Sequence, residues 1–302
     1  MTLQNVISQG FNLVRKNLKL LVLLWCTNAA MSIILSIPIY SMLFDNLNHS
    51  LLSDELSQGV NYLWFAQFMN IYKGTIAQMP LITYGVVGLY AVIQTFYFGG
   101  LIAVFNNPGK NHISDFFYGG VRLWYRFMKI LLISLFFFTA AFKINDLLGN
   151  ILTWLFSDYG YYLTDFILRS MRYILLIILI GLVTLISDYT KVGMGVEDKN
   201  DIFKSIVKTL LFVKQNYRIV FVVFLLVASF GAIGAIIYNL IDTLVPRSPF
   251  YFLLLTFILQ QMLIIFRLTI RMLFCSTEVL IYSDSIAEYV KSEVKESTVG
   301  VK

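Results

Sequence analysis

Charge inside apolar sequence is the first place to look for chemistry, because a charge in hydrocarbon costs a few kcal/mol or more and needs a reason. Arg267, Arg271 and Glu278 lie on one apolar stretch at spacings of four and seven. At about 100° per residue the three share one helix face. Asp188 ends another apolar stretch on the same side of the membrane. These four residues read in two ways. They form a site for an anionic headgroup or substrate anion, with Asp188 or Glu278 as countercharge, or the arginines reach the inner headgroups beside a local ion pair. On the opposite side Asp165 and Arg169 are four apart, the spacing of an ion pair on one helix face, and Arg172 follows one turn further in. Arg172 is the residue expected to be buried, paired with Asp165, Asp146 or Asp242 or turned up to the interface.

The sequence offers no other reactive constellation. Its two histidines, His49 and His112, fall in expected loops on opposite sides of the membrane, without a Cys or carboxylate at ligand spacing. Cys26 and Cys275 each sit alone in apolar sequence and read as small core residues facing other helices. G-x-S-x-G, the P-loop and H-E-x-x-H are missing. Gly193-Met-Gly195 with the acidic residues after it reads as a flexible turn rather than a phosphate or calcium loop. No catalytic, cofactor-binding or metal-ligating residues are expected, and the chain is not expected to be an enzyme.

The elements that hold these residues follow from composition. Of 302 residues 58% are hydrophobic and only 13% charged, where soluble domains carry about a quarter charged. A soluble globule of this size has too little interior to hide that much apolar surface. The long unalternating apolar runs also exclude a transmembrane barrel. The expected fold is an all-α membrane protein, one polytopic domain over 1–302. Its six spans fall at about 18–44, 80–105, 123–145, 166–187, 219–241 and 250–273, each near the roughly 20 apolar residues that cross a bilayer, and 283–302 reads as a polar cytoplasmic tail. Pro38 marks a kink in the first span, and Ser53–Ile71 suits a short helix lying on the outer surface.

Orientation comes from the basic residues. Of 23 Lys and Arg, five (Lys73, Lys143, Arg169, Arg172 and Arg247) fall on one side of this arrangement and the other 18 on the other. The positive-inside bias then puts both termini in the cytoplasm. The +6 net charge is read as affinity for anionic headgroups on that side rather than for nucleic acid, since the basic residues are scattered and have no aromatic platform. Span five carries small residues at four-residue spacing, Ala228 with Ala232 and Gly231 with Ala235, a face suited to close approach of a helix from this chain, a second copy or a protein partner.

Three inner segments look alike: one starting at Asn5, one at Asp115 and one at Asp201. Each opens with a polar residue suited to an N-cap, continues with apolar residues three and four apart, and reaches Arg or Lys ten to seventeen residues on. The pattern suggests three repeated units of cytoplasmic interfacial helix plus helical hairpin. The third copy, DIFKSIVKTLLFVKQNYRIVFVVFLL after SDYTKVGMGVED, resembles poorly characterised six-span prokaryotic membrane proteins, among them the membrane domain fused to some glycerophosphodiester phosphodiesterases. That resemblance implies six helices with cytoplasmic amphipathic helices in a plasma membrane, and no catalytic residues here, because a separate soluble domain would do the chemistry in the fused proteins. The function expected is a non-catalytic one, a lipid-interacting scaffold or an accessory subunit of a membrane complex. The alternative is a small transporter or permease component, which would place ionisable groups near the midplane, where this sequence has little beyond Asn28 and Gln94.

Overall fold

In a computed structural model of the chain, residues 2–48, 50, 52, 56, 61–107, 112–156, 162–246 and 250–299 are described. Their regular structure is helical throughout: α1 (Leu3–Lys16), α2 (Leu18–Leu47), α3 (Tyr62–Ile71), α4 (Lys73–Asn106), α5 (His112–Phe156), α6 (Tyr162–Glu197), α7 (Ile202–Gln215), α8 (Tyr217–Leu244) and α9 (Phe250–Val299). Six of these, α2, α4, α5, α6, α8 and α9, are long and apolar enough to cross a membrane. The chain is a multi-pass helical membrane protein. Large apolar side chains along the spans stay uncovered, Phe136 at 71% and Ile177 at 69% exposure among them. Such surfaces are tolerable only against acyl chains.

Helix boundaries differ from the hydropathy windows in a consistent direction. The third and fourth spans sit within much longer helices, and α9 carries helical backbone through Val299, so the stretch read as a polar tail is helical that far. At about 1.5 Å per residue, the 50 residues of α9 extend about 75 Å, far beyond a hydrocarbon core of about 30 Å. Of the surface helix expected over Ser53–Ile71, α3 is the described part. Asn61 caps it, accepting from the Trp64 backbone N–H at 3.1 Å. Residues 53–55 and 57–60, like His49, lie outside the described residues. His112 starts α5 rather than sitting in a loop.

Two of the three inner segments break at an asparagine. The α1–α2 break is at Asn17 (φ −114, ψ 27) and the α7–α8 break at Asn216 (φ −109, ψ 24). Each side-chain amide donates to the carbonyl four residues back, Leu13 at 2.8 Å and Phe212 at 3.2 Å, the local competition that makes Asn a poor helix-interior residue. The flanking sequences match: Arg-Lys-Asn-Leu-Lys at 15–19 and Lys-Gln-Asn-Tyr-Arg at 214–218. In the middle segment Trp124 stands between Arg122 and Arg126, and α5 runs through unbroken. Of the three expected N-caps only Asp201 occupies a cap position, and its carboxylate makes no capping bond. Asn5 and Asp115 lie inside their helices, which start earlier.

The chain divides into two compact units. The first holds 1–11, 95–224 and 275–302. Its core joins the end of α4 (Leu101, Ile102, Phe105) to Phe116, Leu123 and Phe127 of α5, all buried. Close approach depends on glycine. A Cβ on Gly100 would stand 2.6 Å from the Phe116 backbone oxygen, and one on Gly119 would stand 2.3 Å from the Ala103 Cβ. The second unit holds 12–94 and 225–274. There the Trp25 indole donates to the Gln261 side-chain oxygen at 3.0 Å, joining α2 to α9. The small-residue face of span five meets α9 of the same chain at two points: a Cβ on Gly231 would touch Ile270 at 3.5 Å and one on Gly234 would meet Phe266 at 2.2 Å. Ala232 and Ser229 stay exposed.

Candidate functional site at the turn between α6 and α7

The charged residues that the fold gathers most tightly lie at the end of α6. The helix stops at Asp198, which has φ 53, the one positive φ of a non-glycine residue among the described residues. An L-residue pays for that left-handed conformation, Asp less than most. Two arginines one turn apart on α5 close on its carboxylate: Arg122, and Arg126 through Nη1 at 2.8 Å. The Arg126 hydrogen bond, with Arg122 beside it, holds the Asp198 carboxyl below the usual range.

Glu197, the preceding residue, gathers three donors. Its Oε1 accepts from Lys208 Nζ at 2.5 Å and from the Tyr282 hydroxyl at 2.6 Å, and its Oε2 faces Lys199 Nζ at 2.6 Å. That pairing raises the Lys199 ammonium above its ordinary value. Tyr282 reaches Glu197 past Gly193, where a Cβ would stand 2.9 Å from the hydroxyl oxygen. Gly193 and Gly195 are therefore helical residues of α6 that leave room for Tyr282 and Ile102, not the flexible turn read from the sequence. Behind Tyr282 an aromatic row continues to Phe212 (5.0 Å) and Tyr189 (5.6 Å from Phe212).

Beside this cluster opens a cavity of about 370 Å³, walled by Glu197, Lys199, Lys204, Ser205, Lys208 and Thr209 with Tyr282 at the back. A second recess of about 210 Å³, almost wholly apolar, lies between α5, α6 and α7, with Ile130, Ile186, Ile206 and Leu210 on its walls. The Ser134 and Ser187 hydroxyls share a hydrogen bond there at 2.9 Å. Among the described residues no three His, Cys, Asp or Glu are grouped as a metal site would need.

The residues singled out from the sequence are distributed differently. Asp188 is taken by Lys191, three residues on, at 2.9 Å, and Lys191 also stands 5.1 Å from the centre of the Phe98 ring. Glu278 is 4% exposed, and its Oε2 has no hydrogen-bond partner among the described residues. Arg267 and Arg271 fall in the other unit. Neither is ion-paired among the described residues, and Arg267 is exposed. Asp165 and Arg169 do form their i,i+4 pair, at 2.8 Å. Arg172 does not join it: its guanidinium lies against Gly149, where a Cβ would fall 1.8 Å from Nη1, and 4.7 Å from the Tyr173 ring centre. Cys275 is fully buried, whereas Cys26 is exposed rather than packed on another helix.

Sequence reasoning passed over Arg122, Arg126, Lys199, Lys208 and Tyr282. The signal for three of them was present, since Arg122/Arg126 and Lys204/Lys208 are basic pairs four apart, beside an acidic run at Glu197 and Asp198. No protein-family model, no curated protein and no solved structure matches this chain.

Proposed function

We propose that the chain is a non-catalytic protein of a prokaryotic plasma membrane, with both termini cytoplasmic, that engages lipids on the cytoplasmic side as a scaffold or as an accessory subunit of a membrane complex. The observation that carries this reading is α7. One face of this helix packs inward through Ser205, Thr209 and Phe212. Another leaves Phe203 at 79%, Val207 at 57% and Leu211 at 55% exposure, with Lys204 and Lys208 between the two faces. A helix that packs one side on its protein and turns an apolar stripe flanked by lysines away from it suits the plane of a headgroup layer. The strong basic asymmetry of the loops supports the same orientation.

Native mass spectrometry of the protein in polymer nanodiscs cut from its own membrane tests this reading. A companion chain at fixed stoichiometry, or retained lipid, is expected. A bare protein that sheds all lipid at low activation overturns it. The transporter reading has one observation in its favour, the buried Glu278 carboxyl facing the Asp188–Lys191 pair. A pH-coupled solute flux in proteoliposomes that Glu278→Gln abolishes would establish it over the scaffold.

A further inference from the structure

We propose that the cavity beside the turn between α6 and α7 binds a phosphate group, held by the free N-terminus of α7 between Lys204 and Lys208. This deepens the lipid reading above and rests on it for the phosphate's source, an anionic phospholipid headgroup; a soluble phosphate has the same chemistry and is separated below.

The first argument is backbone. The earliest hydrogen bond into α7 runs from the Ser205 N–H to the Asp201 carbonyl at 3.0 Å, so the amides of Ile202, Phe203 and Lys204 have no acceptor within the helix; of these three residues Lys204 lines the cavity. Asp201 stands at the cap position, but its carboxylate turns to Lys204 at 3.0 Å instead of capping. Unfilled amides at the positive end of a helix dipole are an anion site waiting for its anion.

The second argument is independent of the helix end. Thr209 lines the cavity at 2% exposure and makes no hydrogen bond to a described residue. Ser205, one turn earlier, returns its hydroxyl to the Asp201 carbonyl at 2.7 Å, as Ser134, Thr184 and Thr190 do to the carbonyls four residues back. Thr209 keeps its hydroxyl for the cavity. A hydroxyl on the cavity wall with no protein partner can donate to or accept from a ligand oxygen.

The third argument is charge. Glu197 draws Lys199 and Lys208 onto the cavity wall, and each ammonium has three donors, of which the carboxylate uses one. With Lys204 against Asp201, three cations meet two anions. The surplus of one positive charge fits a phosphodiester monoanion better than a dianion. At about 370 Å³ the cavity lies in the size range of small-ligand sites, about 300–1,000 Å³, larger than a lone ion needs.

The test uses the full chain in detergent. Phosphatidylglycerol and phosphatidylcholine are titrated separately under native mass spectrometry, and inorganic phosphate is titrated in a thermal-unfolding assay. Lys204→Gln, Thr209→Val and Thr209→Ser are compared with the parent, each checked by its unliganded midpoint and elution profile. Phosphatidylglycerol retention about tenfold above phosphatidylcholine, cut at least fivefold by Lys204→Gln and Thr209→Val and restored by Thr209→Ser, supports the site with a lipid phosphate. Equal retention in all variants overturns the cavity and leaves the lipid reading standing. A phosphate-dependent rise in midpoint that the variants lose, with no phospholipid adduct, supports the site and overturns the lipid reading. No response to either probe overturns both.

Discussion

Replacing two glycines of α4 by alanine should move stability in opposite directions. Gly100 faces α5: its Cβ would stand 2.6 Å from the Phe116 backbone oxygen and 2.5 Å from the Phe116 ring. The ring can turn away, but the carbonyl is fixed in the α5 ladder, so α4 and α5 must separate. Separation loosens Leu101, Ile102 and Phe105, all at most 3% exposed. Overpacking of this kind costs about 1–3 kcal/mol. Gly85 lies on the same helix with nothing within 4 Å of an added Cβ. There the substitution only removes glycine's backbone freedom, a gain of about 0.5–1 kcal/mol. The two variants should therefore differ by about 1.5–4 kcal/mol. Unfolding in detergent micelles with increasing dodecyl sulfate, followed by tryptophan fluorescence, measures both. Equal shifts of the same sign would refute the packing argument, and a neutral Gly100→Ala would show that α4 and α5 do not meet as closely as described.

Three further outcomes are expected. Asp198→Ala should be less stable than Asp198→Gly by about 1 kcal/mol, because both lose the arginines but only glycine is at ease at φ 53; equal midpoints would dismiss the backbone strain. Because the arginines hold the Asp198 carboxyl below its ordinary value, their contribution, under about 1 kcal/mol for groups this exposed, is present above the unfolded value of about 3.9 and is lost as pH falls through the folded one. The difference between the parent and Asp198→Asn should thus be flat from about pH 5 to 8 and close below about 4, which acid unfolding curves will check. In a background with Cys26 and Cys275 replaced, a cysteine at the 86%-exposed Lys204 side chain should react with impermeant maleimide only in inverted vesicles; labelling in right-side-out vesicles would reverse the topology.

The sequence alone determined the class, the six spans and which ends of those spans carry charge. These are local properties: a window of about 20 residues is apolar or not, whatever surrounds it. The i,i+4 pair Asp165–Arg169 was legible for the same reason, since both partners belong to one helix. What the tertiary structure decided was every choice between partners far apart in sequence. Asp188 was read as a countercharge for the distant Arg267 and Arg271, which the fold leaves without an ion-pair partner among the described residues, and it pairs instead with Lys191 of its own helix. Gly193 and Gly195 looked like a turn because glycine breaks helices in water, yet Tyr282 and Ile102 needed their missing side chains. The small-residue face of span five invited any helix, and in this chain Ile270 and Phe266 of α9 meet its glycines. The cluster around Glu197 joins residues up to 85 positions apart in sequence. No window on the sequence spans that distance, because hydropathy reports what a segment avoids, whereas recognition depends on what the fold brings beside it.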